Sequence, residues 1–393
     1  MEKKKRVLFM HQASTIGGGS YCLLNILKEI DKTNIQPVAC LAGDGPLREE
    51  IEKLGIEVII FRQMAAVPYN RTLCAISSLC SYYRVRKSIN GFKRILADNK
   101  IDVVYLNNMM IYPYLKPAKE CGCKTVLHCR EHWPLNEHKT QLEWARNAVN
   151  NYCDKFIAIN QYSASIFPDK EATIVYDWID MDSRYKKLPM SKIFGENMTG
   201  KKVLLYTGGT SSIKGPDYIL KAFTESVKGD EYRLLMLGCD SFLDRGLKHQ
   251  IKMMLRCFGY HYWGYELQQI MNSDKRIRGI RGVYELCDLV MQSHCFVSYF
   301  RIPHANLALA ENIILGNACI AADTEEAREY SGGGKYAMLV SPMNDLMAFS
   351  KQLNKFLENI DKWKEAARIG KDEVGKIFSP CKNSSILNKA LSF

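Results

Sequence analysis

The stretch Lys202–Phe223 reads KVLLYTGGTSSIKGPDYILKAF. Val203, Leu204 and Leu205 make a short unbroken apolar run, Gly208 and Gly209 interrupt it, Lys214-Gly215 follows, and from Tyr218 apolar residues return at helical spacing. A strand buried on both faces, a glycine turn and an amphipathic helix in that order form the first part of a βαβ crossover, which returns the chain to a parallel strand.

Working outward, the same cadence recurs along the whole chain. Apolar runs at 6–10, 37–42, 57–61, 102–106, 124–128, 155–159 and 173–176 form one series, and runs at 202–207, 232–237, 276–280, 294–299, 317–321 and 336–340 form a second. Each series predicts a parallel sheet with helices on both faces. A chain of 393 residues exceeds one ordinary core, so two α/β domains are expected. Residues 186–201 carry Pro189, Gly195 and Gly200 without clear periodicity and read as the linker. The expected domains are 1–187 and 188–375, with a helical tail over 376–393 that packs back toward the first.

Apolar residues make up 47% of the chain and charged residues 24%, which is a globular composition. No apolar run reaches the roughly 20 residues of a membrane-spanning helix. The basic start (Lys3, Lys4, Lys5, Arg6) is followed by only four apolar residues before His11, so an export signal is not expected. The 14 cysteines are scattered, and the one close pair, Cys121 and Cys123, lacks a second pair at zinc spacing. Reduced thiols, no metal site and a cytoplasmic location follow as expectations. The formal charge of +12 is spread over both halves, which suits an anionic small ligand or membrane surface and not nucleic acid.

In open α/β sheets ligands bind beyond the carboxyl ends of the strands, so the residues just after each apolar run are the informative ones. Gly17, Gly18 and Gly19 follow the first strand, where bare backbone at a helix start admits close approach of a ligand. A further glycine at position 22 would complete the dinucleotide fingerprint, but Cys22 stands there, and no Gly-Lys-Ser/Thr closes a Walker A loop. In the second series Gly208, Gly209 and Thr210 precede Lys214, a cation placed to meet a diphosphate. Farther on, Asn306, Leu307 and Ala308 open an apolar helix that carries Glu311. A carboxylate there needs a partner, and a ribose diol offers two donors.

The order and spacing of these features resemble the glycosyltransferases of the GT-B fold, and among them the retaining group called glycosyltransferase family 4. The resemblance covers nearly the whole chain. It implies two Rossmann-like, doubly wound parallel-sheet domains facing a cleft, with the N-terminal domain binding acceptor and the C-terminal domain binding a nucleotide sugar as substrate. It also implies that no cofactor is needed. By the same resemblance Lys214 meets the donor diphosphate, Glu311 the ribose hydroxyls and the backbone of Asn306 to Ala308 the phosphates, while Ile280 and Arg281 in the turn Gly279 to Gly282 flank the base. His128, at the end of an N-terminal-domain strand, would reach sugar or acceptor.

Three positions depart from the family pattern. Pro303 holds the slot of the first of two glutamates eight residues apart, and His304 beside it is the stand-in. Gly209 and Thr210 occupy the place of an arginine, and Glu325-Glu326 replaces a Gly-Gly pair after Asp323. With Lys214, His128 and His304 as catalytic candidates, the expected reaction is transfer of a hexose-type sugar, UDP-linked in preference to GDP-linked, to a glycan or lipid-linked glycan in cell-surface polysaccharide or glycoconjugate biosynthesis. A nucleotide-binding scaffold without transfer activity and a GT-B epimerase stay open as alternatives.

Two further segments bear on partners. Across residues 81–100 an apolar stripe (Tyr82, Val85, Ile89, Phe92, Leu96) is set off from Arg84, Arg86, Lys87, Lys93 and Arg94. The basic face is a candidate contact with an anionic membrane, which would make the protein peripheral at the inner leaflet. The aromatic cluster from Phe258 to Tyr265 reads as a packed corner in preference to a sugar or lipid surface.

Overall fold

The computed structural model describes residues 4–68, 76–131, 133, 139–179, 188–282 and 287–392. The chain forms two compact units, Met1–Asp180 with Phe378–Phe393, and Met181–Ile377.

The first unit holds seven strands: β1 (Lys5–His11), β2 (Ile35–Leu41), β3 (Glu57–Ile60), β4 (Val103–Leu106), β5 (Lys124–Cys129), β6 (Lys155–Ala158) and β7 (Ala172–Ile174). Their order is β3-β2-β1-β4-β5-β6-β7, with every pair parallel. Strand β1 shows why its sequence is apolar throughout. Val7, Leu8, Phe9 and Met10 are all fully buried, but Val7 and Phe9 join one core while Leu8 and Met10 join another across the sheet. Period-two alternation thus fills two cores at once, and both must be apolar because helices cover both faces.

The second unit repeats the plan with β8 (Lys202–Tyr206), β9 (Tyr232–Leu237), β10 (Ile277–Ile280), β11 (Cys295–Val297), β12 (Ala318–Ala322) and β13 (Met338–Val340). The order is β10-β9-β8-β11-β12-β13, again all parallel. In both sheets consecutive strands run outward from a central strand and the chain then jumps to that strand's other side. The switch falls between β1 and β4 in the first sheet and between β8 and β11 in the second.

The stretch expected as a linker is largely part of the second unit. Residues 186–187 lie outside the described residues, but Met190–Phe194 is a short helix whose Met190 and Phe194 are buried with Val203, Leu205 and Leu235. The last helix, Pro380–Ala390, belongs to the first unit, where Leu387, Ala390 and Leu391 pack among Leu23, Ile26 and Leu27. Its Asn388 accepts from the Asp31 N–H at 3.0 Å.

The helix Ile76–Asp98 turns its stripe inward: Val85, Phe92 and Leu96 are buried, Phe92 and Leu96 in the core beneath β4. Arg84, Arg86, Lys87 and Arg94 remain exposed, and Lys93 bonds Glu120 at 2.7 Å. The aromatic cluster does not form one packed corner. Tyr262 is buried, but Phe258 is 82% and Tyr260 46% exposed.

Candidate functional site

The loops after β8 and β11 flank the switch point of the second sheet, where no crossover helix covers the strand ends. After β8 the backbone is sculpted around one tyrosine. The buried Tyr206 hydroxyl lies 3.1 Å from the Gly209 carbonyl oxygen and 3.2 Å from that of Lys214. A Cβ on Gly208 would collide with this ring, so the glycine is needed for packing. Gly209 and Gly215 have φ of 66° and 60°, and a Cβ on Gly215 would also strike the Tyr299 carbonyl oxygen. The loop is thereby fixed as a frame from which Lys214 projects.

Lys214 is half-buried, and its side-chain ammonium makes no hydrogen bond or ion pair among the described residues. Burial lowers its pKa, because desolvation penalises an ammonium with no counter-charge. Burial, and then the Lys214 charge, lower His304 to about 4. The two cationic candidates are therefore neighbours, with His304 neutral at pH 7 and its ring 5.5 Å from that of Phe300. Pro303 is half-buried beside them and contributes no charge.

Beyond β11 the chain reaches Asn306, whose side-chain amide donates to Ser298 Oγ at 2.9 Å. The helix Leu307–Ile314 starts there, and no side chain caps its first turn. Leu309, Ala310, Asn312, Ile313 and Ile314 are buried, while Leu307, Ala308 and Glu311 share the half-exposed face. The Glu311 carboxylate bonds no described residue, and burial alone raises its pKa to about 7. Ile280 and Arg281 lie at the end of β10, two strands from β8 and so about 10 Å along the sheet. Arg281 and Thr210 are exposed. Gly279 is obligatory, because a Cβ would collide with the Cys239 carbonyl.

The arrangement brings an unpaired ammonium, an uncapped helix N-terminus and an unpaired carboxylate to the segments that follow β8 and β11, on either side of the switch point. It can accept an anionic group next to a group that presents hydroxyl donors. The acids after β12 are engaged otherwise. Asp323 accepts from Arg328 at 2.6 and 2.8 Å and from Ser341 at 2.6 Å, and Glu325 and Glu326 form the first turn of a helix capped by Thr324.

In the first unit the helix Gly18–Glu29 begins directly beyond β1 with Gly17 as its uncapped N-cap. None of Gly17, Gly18 and Gly19 has a positive φ, and a Cβ on Gly17 or Gly18 would meet nothing within 4 Å. Neither backbone strain nor internal packing requires glycine there, so the space it leaves lies outside the protein's own atoms.

Sequence reasoning missed the buried polar network under that loop. His11 bonds Ser20 Oγ at 3.1 Å, and the Asn107 amide lies 3.2 Å from His11 Nδ1 and 3.3 Å from the Gly19 carbonyl oxygen. Arg130 donates through Nε to Asn107 at 3.2 Å, through Nη1 to Asp177 and through Nη2 to His128 Nδ1 at 3.2 Å. Tyr105 also bonds His128 Nδ1, so the ring proton belongs on Nε2. Burial first, then the Arg130 charge, lower His128 well below its ordinary value and His11 to about 4. His128 is 1% exposed, which makes it a support of Arg130 in this structure and not a surface group. The signal was present in the sequence, since His11 and Asn107 directly follow apolar runs and Arg130 comes two residues after another.

Among the described residues no cluster of His, Cys, Asp or Glu side chains is arranged to hold a metal ion, and no helix is long and apolar enough to cross a membrane.

No protein-family model matches the chain. Comparison with curated proteins also found no match. Solved structures do match. HepE of Anabaena, solved in complex with UDP and glucose, superimposes with a TM-score of 0.74 at 17% identity over 98% of this chain and 99% of its own. A glycosyltransferase from Rickettsia africae gives 0.72 at 14% identity over 100% of both chains. A putative UDP-N-acetylglucosamine 2-epimerase from Listeria monocytogenes gives 0.65 at 11% identity, covering 100% of this chain and 97% of that one. Two parallel sheets of seven and six strands, matched along almost their full length, give the chain the GT-B fold.

Proposed function

We propose that the protein is a glycosyltransferase that moves a hexose-type sugar from a nucleotide sugar to a glycan or lipid-linked glycan, with retention at the anomeric carbon, as in glycosyltransferase family 4. The observation that carries this reading is the pair of unpartnered ionisable groups, Lys214 in the loop after β8 and Glu311 in the helix after β11, that flank one switch point. UDP-linked donors are favoured, supported by the UDP and UDP-glucose held by HepE.

In the reaction the anomeric C–O bond to the β-phosphate breaks and a C–O bond to the acceptor oxygen forms. The acceptor's hydroxyl proton passes to the departing phosphate, and the nucleoside diphosphate leaves. Lys214 offsets the charge that grows on the leaving diphosphate, an interaction stronger in the transition state than in the ground state. The N–H groups of Leu307 and Ala308 at the helix start hold the phosphates. Glu311 accepts from the ribose diol, Ile280 and Arg281 flank the base, and neutral His304 takes the sugar-facing place left by Pro303. In the first unit, Gly17 to Gly19 give a ligand close backbone approach, and His128 holds Arg130 in register beneath them. The basic face of Ile76–Asp98 supports peripheral contact with an anionic leaflet.

Epimerisation of the nucleotide sugar is a second reading, favoured by the Listeria fold match. Incubation with UDP-glucose separates the possibilities. A transferase releases UDP only when acceptor is present, an epimerase yields a new nucleotide sugar without acceptor, and a scaffold does neither. Absence of acceptor-dependent UDP release across glycan and lipid-linked acceptors would refute the transferase.

A further inference from the structure

An amphipathic surface helix ordinarily turns its apolar stripe to the core and its charges to water. The helix Leu247–Arg256 in the second unit does the reverse. Its sequence LKHQIKMMLR places Leu247, Ile251, Met254 and Leu255 on one side, and Phe258 just beyond continues that side. All five are exposed: Leu247 by 69%, Ile251 44%, Met254 58%, Leu255 38% and Phe258 82%. No residue of the helix is buried.

What faces the protein instead is the row His249, Lys252, Met253 and Arg256, at helical spacing and half-buried. Lys252 bonds Asp244 at 2.5 Å and lies 5.1 Å over the Tyr262 ring, while Arg256 lies 3.7 Å over that of Tyr265. The His249 ring meets Tyr262 at 6.0 Å. Cations stacked on tyrosines thus anchor the polar side and leave the apolar stripe outward. The segment Arg245–Tyr260 holds Arg245, Lys248, Lys252 and Arg256 and no acidic residue. Lys248 is exposed beside the stripe, and Arg245, also exposed, lies 3.7 Å from Asp240 in a solvent-facing pair that lipid phosphates can replace.

We propose that this face, completed by Phe258 and Tyr260, docks the protein on an anionic lipid bilayer. Charge complementarity chooses the occupant. A helix with an outward apolar stripe rimmed by basic residues lies in the headgroup–acyl boundary, where the stripe enters the acyl region and the cations meet lipid phosphates. The helix Ile76–Asp98 differs, because it consumes its stripe in its own core and offers lipid chiefly charge. The proposal does not depend on the transfer reaction.

The test is co-sedimentation of the full chain with vesicles of phosphatidylcholine alone and of phosphatidylcholine mixed with phosphatidylglycerol. Wild-type protein is expected to sediment with the mixed vesicles, more weakly as salt rises, and little with phosphatidylcholine alone. The double variant Ile251→Glu/Phe258→Glu should lose at least about tenfold in partitioning, since two side chains no longer enter the apolar layer. Lys248→Ala should lose about fivefold. Circular dichroism, thermal unfolding and UDP-glucose affinity should be unchanged in these variants, because the substituted side chains point away from the protein. Three results overturn the proposal. One is failure of the wild type to sediment with mixed vesicles at low salt. Another is loss of binding in Arg84→Ala/Arg86→Ala/Lys87→Ala while the double variant still binds. The third is a wild-type dimer in sedimentation velocity that the double variant turns into monomer, which would assign the face to a second copy.

Discussion

Glu311 is expected to give up a proton when a nucleotide sugar binds. Burial holds its pKa at about 7 with no described partner, so in the unliganded protein at pH 6 about nine-tenths of the carboxyl groups carry a proton. A ribose diol donates to the ionised form, so binding selects the carboxylate. With UDP-glucose, whose phosphates stay ionised across this range, about 0.9 proton should be released per site at pH 6 and about 0.1 at pH 8. Affinity should fall about tenfold for each pH unit below 7 as ionisation becomes part of binding. His304, at about 4, is already neutral across this window. Calorimetry in buffers of different ionisation enthalpy reads the released protons directly, and Glu311→Gln should abolish both the release and the slope. The same shift has a stability signature. A carboxyl whose folded pKa is raised leaves stability intact below its unfolded value near 4.5 and removes it as pH rises toward 7, by up to about 3 kcal/mol. Glu311→Gln should thus match the wild type near pH 4 and unfold at higher temperature at pH 8. A pH slope for UDP-glucose shared by wild type and variant would refute the assignment of Glu311 to the diol.

Lys214→Ala should weaken UDP-glucose binding by about 10-fold to 150-fold, the range for a hydrogen bond to a charged group, without lowering the melting temperature; calorimetry and thermal unfolding check both parts. For Gly18→Ala the structure separates fold from function. Alanine fits the open space and favours the helix by roughly 0.5–1 kcal/mol, so stability should hold or rise while turnover drops because the methyl occupies the ligand's approach. Asp177→Ala should destabilise by about 3–5 kcal/mol in urea unfolding, since it strands the buried Arg130 guanidinium. Arg48→Ala, which breaks an exposed pair with Glu52, should leave the urea midpoint unmoved.

The strands could be read from sequence because both sheet faces are covered, so Val7 to Met10 or Val203 to Leu205 are apolar without alternation and stand out from the periodic helices. Glu311 was visible for a similar reason: a lone carboxylate in LALAENII conflicts with its surroundings. The Arg130 network was harder to see. His11, Asn107, Arg130 and Asp177 are far apart in sequence, and the sheet order that sets β4 beside β1 and β5 beside β4 gathers the first three, with Asp177 joining from the segment after β7. The stretch read as a linker joins the second unit's core instead, because Met190 and Phe194 are buried with Leu188, Ile193 and Met198 packed beside them, over a helix of barely more than one turn whose short period is easily overlooked. Composition also misled at Phe258 to Tyr265. Tyr262 and Tyr265 hold cations and Phe258 faces solvent, a split that depends on which side of Leu247–Arg256 is anchored and not on the count of aromatics.

The return of Phe378–Phe393 to the first unit sets an order of events during synthesis. The chain leaves that unit at Asp180 and comes back only after the whole second unit has been made, yet Leu387, Ala390 and Leu391 belong to the core beside β1. At ribosomal rates of about 5–20 residues per second the unfinished face waits roughly 10–40 s for its last helix. The second unit is continuous and has every strand of its sheet once Val340 has emerged. The half translated first is therefore the half finished last, and its open core is the part of the nascent chain with most need of a chaperone.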